Sequence, residues 1–127
     1  MTARILVVDD VEANVRLLEA KLTIEYYEVL TAQDGATALE IAAAERPDII
    51  LLDVMMPGMD GFETCRRLKA DPVTRHIPVV AVTAFAMKGD EERIRQGGCE
   101  AYISKPISVV HFLEVVRKHL DQPEAVV

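Results

Sequence analysis

The sequence predicts a single α/β domain in which five parallel strands form one sheet and helices cover both faces. Short apolar runs that fit strands alternate regularly with longer segments whose apolar residues recur at helical spacing. Two of the runs, residues 4–8 and 49–52, are continuously apolar apart from Arg4. Such runs are typical of central strands that are covered on both sides.

Length and composition agree with a folded domain. The chain has 127 residues, of which 50% are hydrophobic, so it can bury a core without disulfides or a structural metal. We expect a domain over residues 1–121 and a disordered tail over residues 122–127. No apolar run reaches membrane-spanning length, and the start leads into a strand rather than a signal peptide, so we expect a cytoplasmic protein.

Charge and cysteine usage limit the kinds of partner. The net charge is −7, from 21 acidic and 14 basic residues. Nucleic-acid binding needs concentrated positive charge, so we expect protein partners and neither nucleic acid nor a membrane. Cys65 and Cys99 form no CxxC pair, and we expect both to be reduced, buried thiols.

Ten elements are predicted, and each has a local signal. They are β1 (4–8), α1 (11–22), β2 (27–31), α2 (36–45), β3 (48–53), α3 (60–71), β4 (77–83), α4 (86–96), β5 (100–104) and α5 (108–120).

The first half of the chain begins with β1, which ends in the acidic pair Asp9-Asp10. One face of α1 carries apolar residues at helical spacing, namely Val11, Val15, Leu18 and Leu22. The more polar β2 suits a sheet edge. Asp34-Gly35 predicts a turn into the Ala-rich α2, which ends before Pro47 because the residue preceding proline disfavours the α region.

The middle of the chain contains β3, which ends at Asp53. Asp60 followed by Glu63 resembles a capping box and predicts the start of α3, and Asp71-Pro72 predicts its end. The inward face of α3 consists of Phe62, Cys65 and Leu68. Pro78 near the start of β4 is tolerable because a missing N–H costs least there.

The last third begins with α4, whose apolar face is small, so we expect this helix to shift easily. Gly97-Gly98 predicts its end, and β5 follows. Ser108 is a plausible N-cap for α5. The apolar face of α5 consists of Val109, Phe112, Leu113, Val116 and Leu120.

The most apolar strands, β1 and β3, lie side by side in the flavodoxin-like, doubly wound strand order 2-1-3-4-5, which we therefore predict. This order brings Asp9, Asp10 and Asp53 together at the carboxyl edge of the sheet. Three neighbouring carboxylates repel one another unless a cation lies among them. Oxygen ligands without His or Cys favour a hard cation, and an open site suits Mg²⁺. Alternatively, Asp9 or Asp10 caps α1 and Asp53 caps its own turn.

Two more polar residues follow strands at the same edge, Thr83 at the end of β4 and Lys105 after β5. A hydroxyl, an ammonium and a cation around one carboxylate would stabilise phosphoryl oxygens during in-line transfer. Asp53 would then be the nucleophile and form an acyl phosphate. The alternative is that Thr83 and Lys105 are solvated loop residues.

These motifs together resemble the receiver domain of two-component response regulators. The matching segments are Asp9-Asp10, Leu52-Asp53-Val-Met-Met-Pro57-Gly58-Met-Asp60-Gly61, Val82-Thr83-Ala84 and Lys105-Pro106. The resemblance extends to about residue 120. Residues 1–80 resemble the first receivers of PleD-type diguanylate cyclases, and residues from about 76 onward resemble DivK-type single-domain regulators.

The resemblance implies phosphorylation of Asp53 by a histidine kinase or a histidine phosphotransfer protein. It implies Mg²⁺ held by Asp10, Asp53 and the main-chain carbonyl of Met55, with Asp9 acting through water. Such a receiver catalyses only its own phosphoryl transfer and autodephosphorylation, and is a monomer or a weak homodimer.

The resemblance also implies a conformational switch. Thr83 turns inward on phosphorylation, Tyr102 is the coupled aromatic residue, and Lys105-Pro106 is a cis peptide. The output surface is then the α4-β5-α5 face, which binds a downstream protein. Tyr102 as plain packing remains an alternative.

Three other functions remain as alternatives. An Mg²⁺-dependent aspartyl-phosphate phosphatase would need a general acid two residues after the nucleophile, where this chain has Met55. A flavodoxin-like cofactor binder would need a phosphate-binding loop rich in Ser, Thr or Gly after β1, which this chain lacks. A receiver that binds partners without phosphorylation is disfavoured because the acidic residues are all present.

Overall fold

The computed structural model describes residues 3–53, 61–83, 98–104 and 109–120. The described elements are β1 Arg4–Val8, α1 Glu12–Ile24, β2 Glu28–Ala32, α2 Gly35–Glu45, β3 Ile49–Asp53, α3 Gly61–Ala70, β4 Val79–Thr83, β5 Ala101–Ser104 and α5 Val109–Leu120. The predicted α4, the predicted tail and the predicted N-caps Asp60 and Ser108 lie outside the described residues, so those predictions stay open.

The five strands form one sheet in the order β2-β1-β3-β4-β5, and every neighbouring pair is parallel. This confirms the predicted fold class and strand order. The most apolar strands occupy the centre because β3 is buried along its whole length and only the first residue of β1 is partly exposed. The more polar β2 lies at an edge, as predicted.

Side chains of the central strands alternate between two core layers. Leu6 of β1 and Ile50 of β3 pack in one layer with residues of α2 and α3. Ile5 and Ile49, one residue earlier in each strand, pack in the other layer with residues of α1 and α5. The alternation follows from the two-residue period of a strand, and it shows that helices cover both faces of the sheet.

The buried face of α1 differs from the prediction at its first position. Val15, Leu18 and Leu22 are buried, but Val11 is 47% exposed. Val11 is the N-cap, with extended backbone angles, so it does not share the helical direction of the residues that follow. The helix also runs two residues beyond Leu22, to Ile24.

The start of α2 corrects the predicted turn at Asp34-Gly35. Gly35 is already helical, and Asp34 is the N-cap, whose carboxylate accepts a 2.7 Å hydrogen bond from the Thr37 N–H. This bond satisfies one of the amide donors that a helix start leaves without an intrahelical partner. At the other end Arg46 has φ 47 and ψ 65, so the residue before Pro47 leaves the helix through the left-handed region.

Two strands begin later than predicted, β4 by two residues and β5 by one residue. Pro78 precedes β4 and contributes only its carbonyl, which accepts a 2.9 Å hydrogen bond from the Ile50 N–H. Glu100 precedes β5, and its N–H donates to the Val79 carbonyl at 2.9 Å.

Helices α3 and α5 bury the predicted residues for which a side chain is described. Cys65 and Leu68 of α3 are buried, and Phe62 is half-buried against the core. On α5, Phe112 and Val116 are buried and Leu113 packs beside them. Cys65 and Cys99 are both reduced and buried, as predicted.

Among the described helices, none has the length and apolar character that crossing a membrane would require.

Candidate functional site

The sheet places two acidic residues at the carboxyl edge of its central strands. Asp53 is the last residue of β3, and Asp9 follows β1, where its N–H still donates to the Ala32 carbonyl at 3.2 Å. Leu52, which precedes Asp53, and Val8, which precedes Asp9, both pack in the core layer that contains residues of α2 and α3 (the α2/α3 layer). The two-residue period of strands therefore directs both carboxylates towards the α1/α5 side of the sheet.

Asp9, Asp10 and Asp53 form one acidic cluster. One carboxylate oxygen from each lies within 4.8 Å of the others. Asp9 and Asp53 are only 3% and 4% exposed, whereas Asp10 is exposed to solvent. The cluster is thus a buried pair of carboxylates with a third at the opening, which brings together the three residues that the sequence singled out.

Asp9 also has a structural role. Its Oδ1 accepts a 2.9 Å hydrogen bond from the Val11 N–H, and its Oδ2 accepts a 3.3 Å hydrogen bond from the Asn14 side-chain amide. Both donors lie at the start of α1. The alternative that Asp9 only caps α1 is therefore not confirmed, because the N-cap is Val11 and no described side chain caps the helix. Asp9 supports the chain just before α1 and belongs to the acidic cluster at the same time.

The donor set of the cluster suits a hard cation. It offers carboxylate oxygens without a described His or Cys, the ligand type that Mg²⁺ and Ca²⁺ prefer. Three like charges at this separation repel one another most strongly where water is excluded, as it is around Asp9 and Asp53. A divalent cation would convert this repulsion into attraction.

The remaining predicted site residues are described only in part. Thr83 is the last residue of β4. The residue before it, Val82, pairs with Asp53 of β3. The Thr83 side chain lies outside the described part of the structure, as do Met55, Lys105 and Pro106. Tyr102 is half-buried on β5, opposite Ala81 of β4, and packs against the α2/α3 core layer.

The sequence prediction missed Asn14, whose amide contacts Asp9. The residue was not noticeable because its position is that of an ordinary polar residue in the first turn of a helix. The sequence did contain a signal, because Asp9 comes shortly before α1 and a side-chain amide in the first turn of that helix can donate a hydrogen bond to its carboxylate.

Sequence comparison identifies the family. A sequence model of the response regulator receiver domain matches residues 5–117. Response regulator PleD from Caulobacter vibrioides is 64% identical over 117 residues, which are 92% of this chain and 26% of PleD. The chain therefore spans about a quarter of that relative's length.

A shorter relative and a solved structure agree. The polar-differentiation response regulator DivK from Brucella ovis is 51% identical over 120 residues, which are 94% of this chain and 98% of DivK. The receiver domain of sensor histidine kinase PA1611 from Pseudomonas aeruginosa PAO1 superposes with a TM-score of 0.89 at 31% identity, over 96% of this chain and 100% of that one. That crystal structure has a magnesium ion coordinated in its active site cleft.

These matches cover nearly the whole chain, and they agree with its strand order and with the acidic cluster at the carboxyl edge. They also disfavour the phosphatase alternative. The chain belongs to the response regulator receiver domain family, the receivers of two-component signalling systems.

Proposed function

We propose that this receiver accepts a phosphoryl group on Asp53 from a histidine kinase or a histidine phosphotransfer protein. The observation that carries the proposal is the position of Asp53, a buried carboxylate at the end of a central strand with oxygens of Asp9 and Asp10 within 4.8 Å. Among these three residues, Asp53 alone is itself part of a strand, whereas Asp9 and Asp10 come after β1.

Asp10 and Asp53 would hold Mg²⁺ together with the main-chain carbonyl of Met55, and Asp9 would assist through water. The all-oxygen donor set supports this choice, and so does the exposure of Asp10, because Mg²⁺ retains several of its waters. When bound, the cation would offset the charge of the phosphoryl oxygens and of the carboxylates around them.

In the proposed reaction, a carboxylate oxygen of Asp53 attacks the phosphorus of a phosphohistidine. The phosphorus–nitrogen bond breaks, its electron pair stays on the imidazole nitrogen, and an acyl phosphate remains on Asp53. Thr83 and Lys105 would contact the phosphoryl oxygens. The burial of Asp53 limits the access of water to the reacting atoms.

The acyl phosphate would then bias a two-state equilibrium. In the proposed switch, Thr83 moves inward, Tyr102 follows it, and the α4-β5-α5 face changes its affinity for a downstream protein. The position of Tyr102 supports such a role, since it lies partly buried on β5, which pairs with the strand that Thr83 ends. We propose that the chain acts in the cytoplasm and has no substrate apart from its own phosphodonor.

The test is phosphorylation of the purified chain with acetyl phosphate and Mg²⁺, followed by intact-mass spectrometry. We expect the parent to gain one phosphoryl group and Asp53→Asn to gain none, because an amide is not a nucleophile here. Asp71→Asn is the matched control, since Asp71 is an exposed acid whose carboxylate accepts a local hydrogen bond from the Val73 N–H. It should label like the parent.

Three results would argue against the proposal. Labelling of Asp53→Asn at the rate of the parent would exclude Asp53 as the acceptor. Labelling that is unaffected by a chelator would exclude the cation. Sustained phosphate release from p-nitrophenyl phosphate over many turnovers would favour the phosphatase instead.

A further inference from the structure

The two cysteines of the chain, Cys65 and Cys99, are in contact inside the core. Cys65 lies on α3 and Cys99 lies just before β5, 34 positions later. Their Sγ atoms are 3.0 Å apart, and the two residues are 0% and 7% exposed. A disulfide has an S–S bond of about 2.0 Å, so the two sulfurs lie about 1 Å farther apart than in a disulfide.

Neighbouring contacts hold the two segments against each other. Lys69, one turn after Cys65, forms a salt bridge with Glu100, the residue after Cys99. The Lys69 ammonium also donates to the Ile77 carbonyl at 2.8 Å, and the second Glu100 oxygen accepts from the Val79 N–H at 3.1 Å. These bonds do not involve sulfur, so they keep the two thiols together in the reduced protein.

The backbone before Cys99 packs closely on the same lysine. Gly98 has φ +97, and a Cβ at that position would lie 2.9 Å from Cγ of Lys69. Only glycine fits this approach without a shift. The geometry around the two sulfurs is therefore held closely by its surroundings.

The electrostatic environment distinguishes the two sulfurs. The Cys99 S–H donates to the Cys65 sulfur and lowers the pKa of the Cys65 thiol. The Lys69 charge acts in the same direction, whereas burial and the Glu100 charge oppose it without reversing it. The pKa of Cys99 is raised, first because its S–H donates to Cys65 and second because it is buried. Cys65 is thus the better thiolate, which is the reactive form of cysteine.

We propose that Cys65 and Cys99 are an oxidation site that forms a reversible intramolecular disulfide. The oxidant class is a small hydroperoxide, which would enter at Cys99, because 7% of that residue's surface reaches solvent and none of Cys65 does. The site is distinct from the acidic cluster, because Cys99 and Glu100 lie beside Val79 at the start of β4, and β4 spans about 13 Å to its carboxyl end.

The reaction has two steps. The Cys65 thiolate attacks the peroxide, a sulfur–oxygen bond forms, the oxygen–oxygen bond breaks, and the leaving alkoxide takes up the proton that the thiol lost. The Cys99 sulfur then attacks the sulfenic sulfur, the S–S bond forms, and hydroxide leaves as water with the Cys99 proton. Two thiols and one hydroperoxide become one disulfide, one alcohol and one water.

The disulfide would join α3 covalently to the residue that leads into β5. The cross-link closes a loop between residues 34 positions apart, which reduces the conformational entropy of the unfolded chain. We therefore expect the oxidised chain to have a higher Tm than the reduced chain, and dithiothreitol should restore the original value.

The test is treatment of the reduced parent with hydrogen peroxide in native buffer, followed by maleimide alkylation and peptide mapping. We expect both thiols to be lost together and a peptide pair linked through Cys65 and Cys99 to appear, with reversal by dithiothreitol. The parent suffices for this test because the chain has only two cysteines.

Cys65→Ala and Cys99→Ala are the matched variants, each with one remaining thiol. Cys99→Ala should accumulate a sulfenic acid on Cys65 that dimedone traps, because no second sulfur is present to displace it. Circular dichroism checks that both variants fold.

The proposal fails if both thiols survive peroxide in native buffer, or if the linked peptide forms only in urea, since the unfolded chain would then be the species oxidised. It also fails if the products are sulfinic acids or disulfides between chains. Failure would not affect the proposed phosphorylation of Asp53, which uses neither sulfur.

Discussion

Asp9 illustrates how one side chain serves both the fold and the candidate site. Its two oxygens accept hydrogen bonds from the Val11 N–H and the Asn14 amide at the start of α1, and one of them also belongs to the acidic cluster. These bonds fix the carboxylate without help from a cation. Within the cluster, the protein thus holds the Asp9 carboxylate in place, whereas Asp10 is exposed to solvent.

Asp34, the N-cap of α2, can be used to test whether the charge of a capping carboxylate contributes to stability. The Thr37 backbone N–H donates to its carboxylate and lowers the pKa of Asp34 below its ordinary value of 3.8. A lowered carboxyl pKa contributes stability above the ordinary value, and this stability is lost as pH falls through the folded-state pKa. We expect Asp34→Ala to have a lower Tm than the parent near pH 7, and the difference to shrink in acid.

Asp34→Asn provides the control for this measurement, because asparagine caps a helix without titrating in this range. The Tm difference between Asp34→Asn and Asp34→Ala should therefore be much less dependent on pH. A parent-to-Asp34→Ala difference that stays constant well below pH 3.8 would show that the carboxylate charge has no part in the cap.

At the residue scale, the sequence predicted the three acidic residues and their meeting point. It could do so because each acid follows an apolar run and parallel strands end at one edge. It did not predict the partners of Asp9, because hydrogen-bond partners depend on rotamers and on where α1 begins. The same ambiguity explains Val11, which fits the apolar spacing of α1 but lies just outside the helix.

At the scale of elements, a hydrogen-bonded group around Lys69 joins α3 to the starts of β4 and β5. The ammonium contacts the Arg75 and Ile77 carbonyls at 3.2 and 2.8 Å and forms the salt bridge with Glu100. Glu100 in turn accepts from the Val79 N–H. The Lys69 and Glu100 side chains are 20% and 32% exposed, so this contact is less open to water than the pair of Arg16 and Glu12, whose side chains are 73% and 60% exposed.

We expect Lys69→Met to lower the free energy of unfolding by about 1–3 kcal/mol, because two carbonyls and a carboxylate lose their donor while the aliphatic stem remains. Urea denaturation measures this change. Arg16→Met is the control, since Arg16 pairs with Glu12 on the exposed surface of α1 and should cost less than about 0.5 kcal/mol.

A double-mutant cycle with Glu100→Gln separates the ion pair from the carbonyl contacts. We expect a coupling energy of about 0.5–3 kcal/mol between the two positions. Equal costs for Lys69→Met and Arg16→Met would mean that the group around Lys69 adds nothing beyond a surface pair.

This group could not have been predicted from the sequence. Lys69 and Glu100 are 31 positions apart, and each is an ordinary surface residue in its own segment. The contact between Cys65 and Cys99 has the same origin. Both depend on the crossover that lays α3 beside the strands β4 and β5, which only the assembled sheet provides.

At the scale of the whole molecule, two core layers hold the sheet between its helices. One layer involves α2 and α3, and the other involves α1 and α5. Among the residues that the structure describes, Phe112 is the largest fully buried side chain, and it connects α5 to the second layer. Both layers position the sheet edge that carries the acidic cluster. Asp9 and Asp53 directly follow Val8 and Leu52, which pack in the layer with α2 and α3, and their carboxylates face the side of α1 and α5.

We expect Phe112→Ala to lower the free energy of unfolding by about 3–5 kcal/mol, because it removes a buried ring and leaves a cavity beside the sheet. Val110→Ala is the matched control on the same helix. Val110 is 69% exposed, so its truncation should change stability by less than about 0.5 kcal/mol. Similar losses for both variants in urea denaturation would contradict the assignment of the buried face of α5.

The sequence by itself determined the fold class, the order of the strands and the edge at which Asp9, Asp10 and Asp53 meet. These follow from apolar periodicity, which is local, and from the rule that parallel strands end together. Only the tertiary structure decided which atoms touch there and elsewhere: Asn14 on Asp9, Lys69 on Glu100, and Cys65 on Cys99. The contacts of Lys69 with Glu100 and of Cys65 with Cys99 depend on how α3 packs on the sheet, and sequence spacing carries no record of that packing. The contact of Asn14 with Asp9 is local, but it depends on side-chain rotamers and on the residue at which α1 begins.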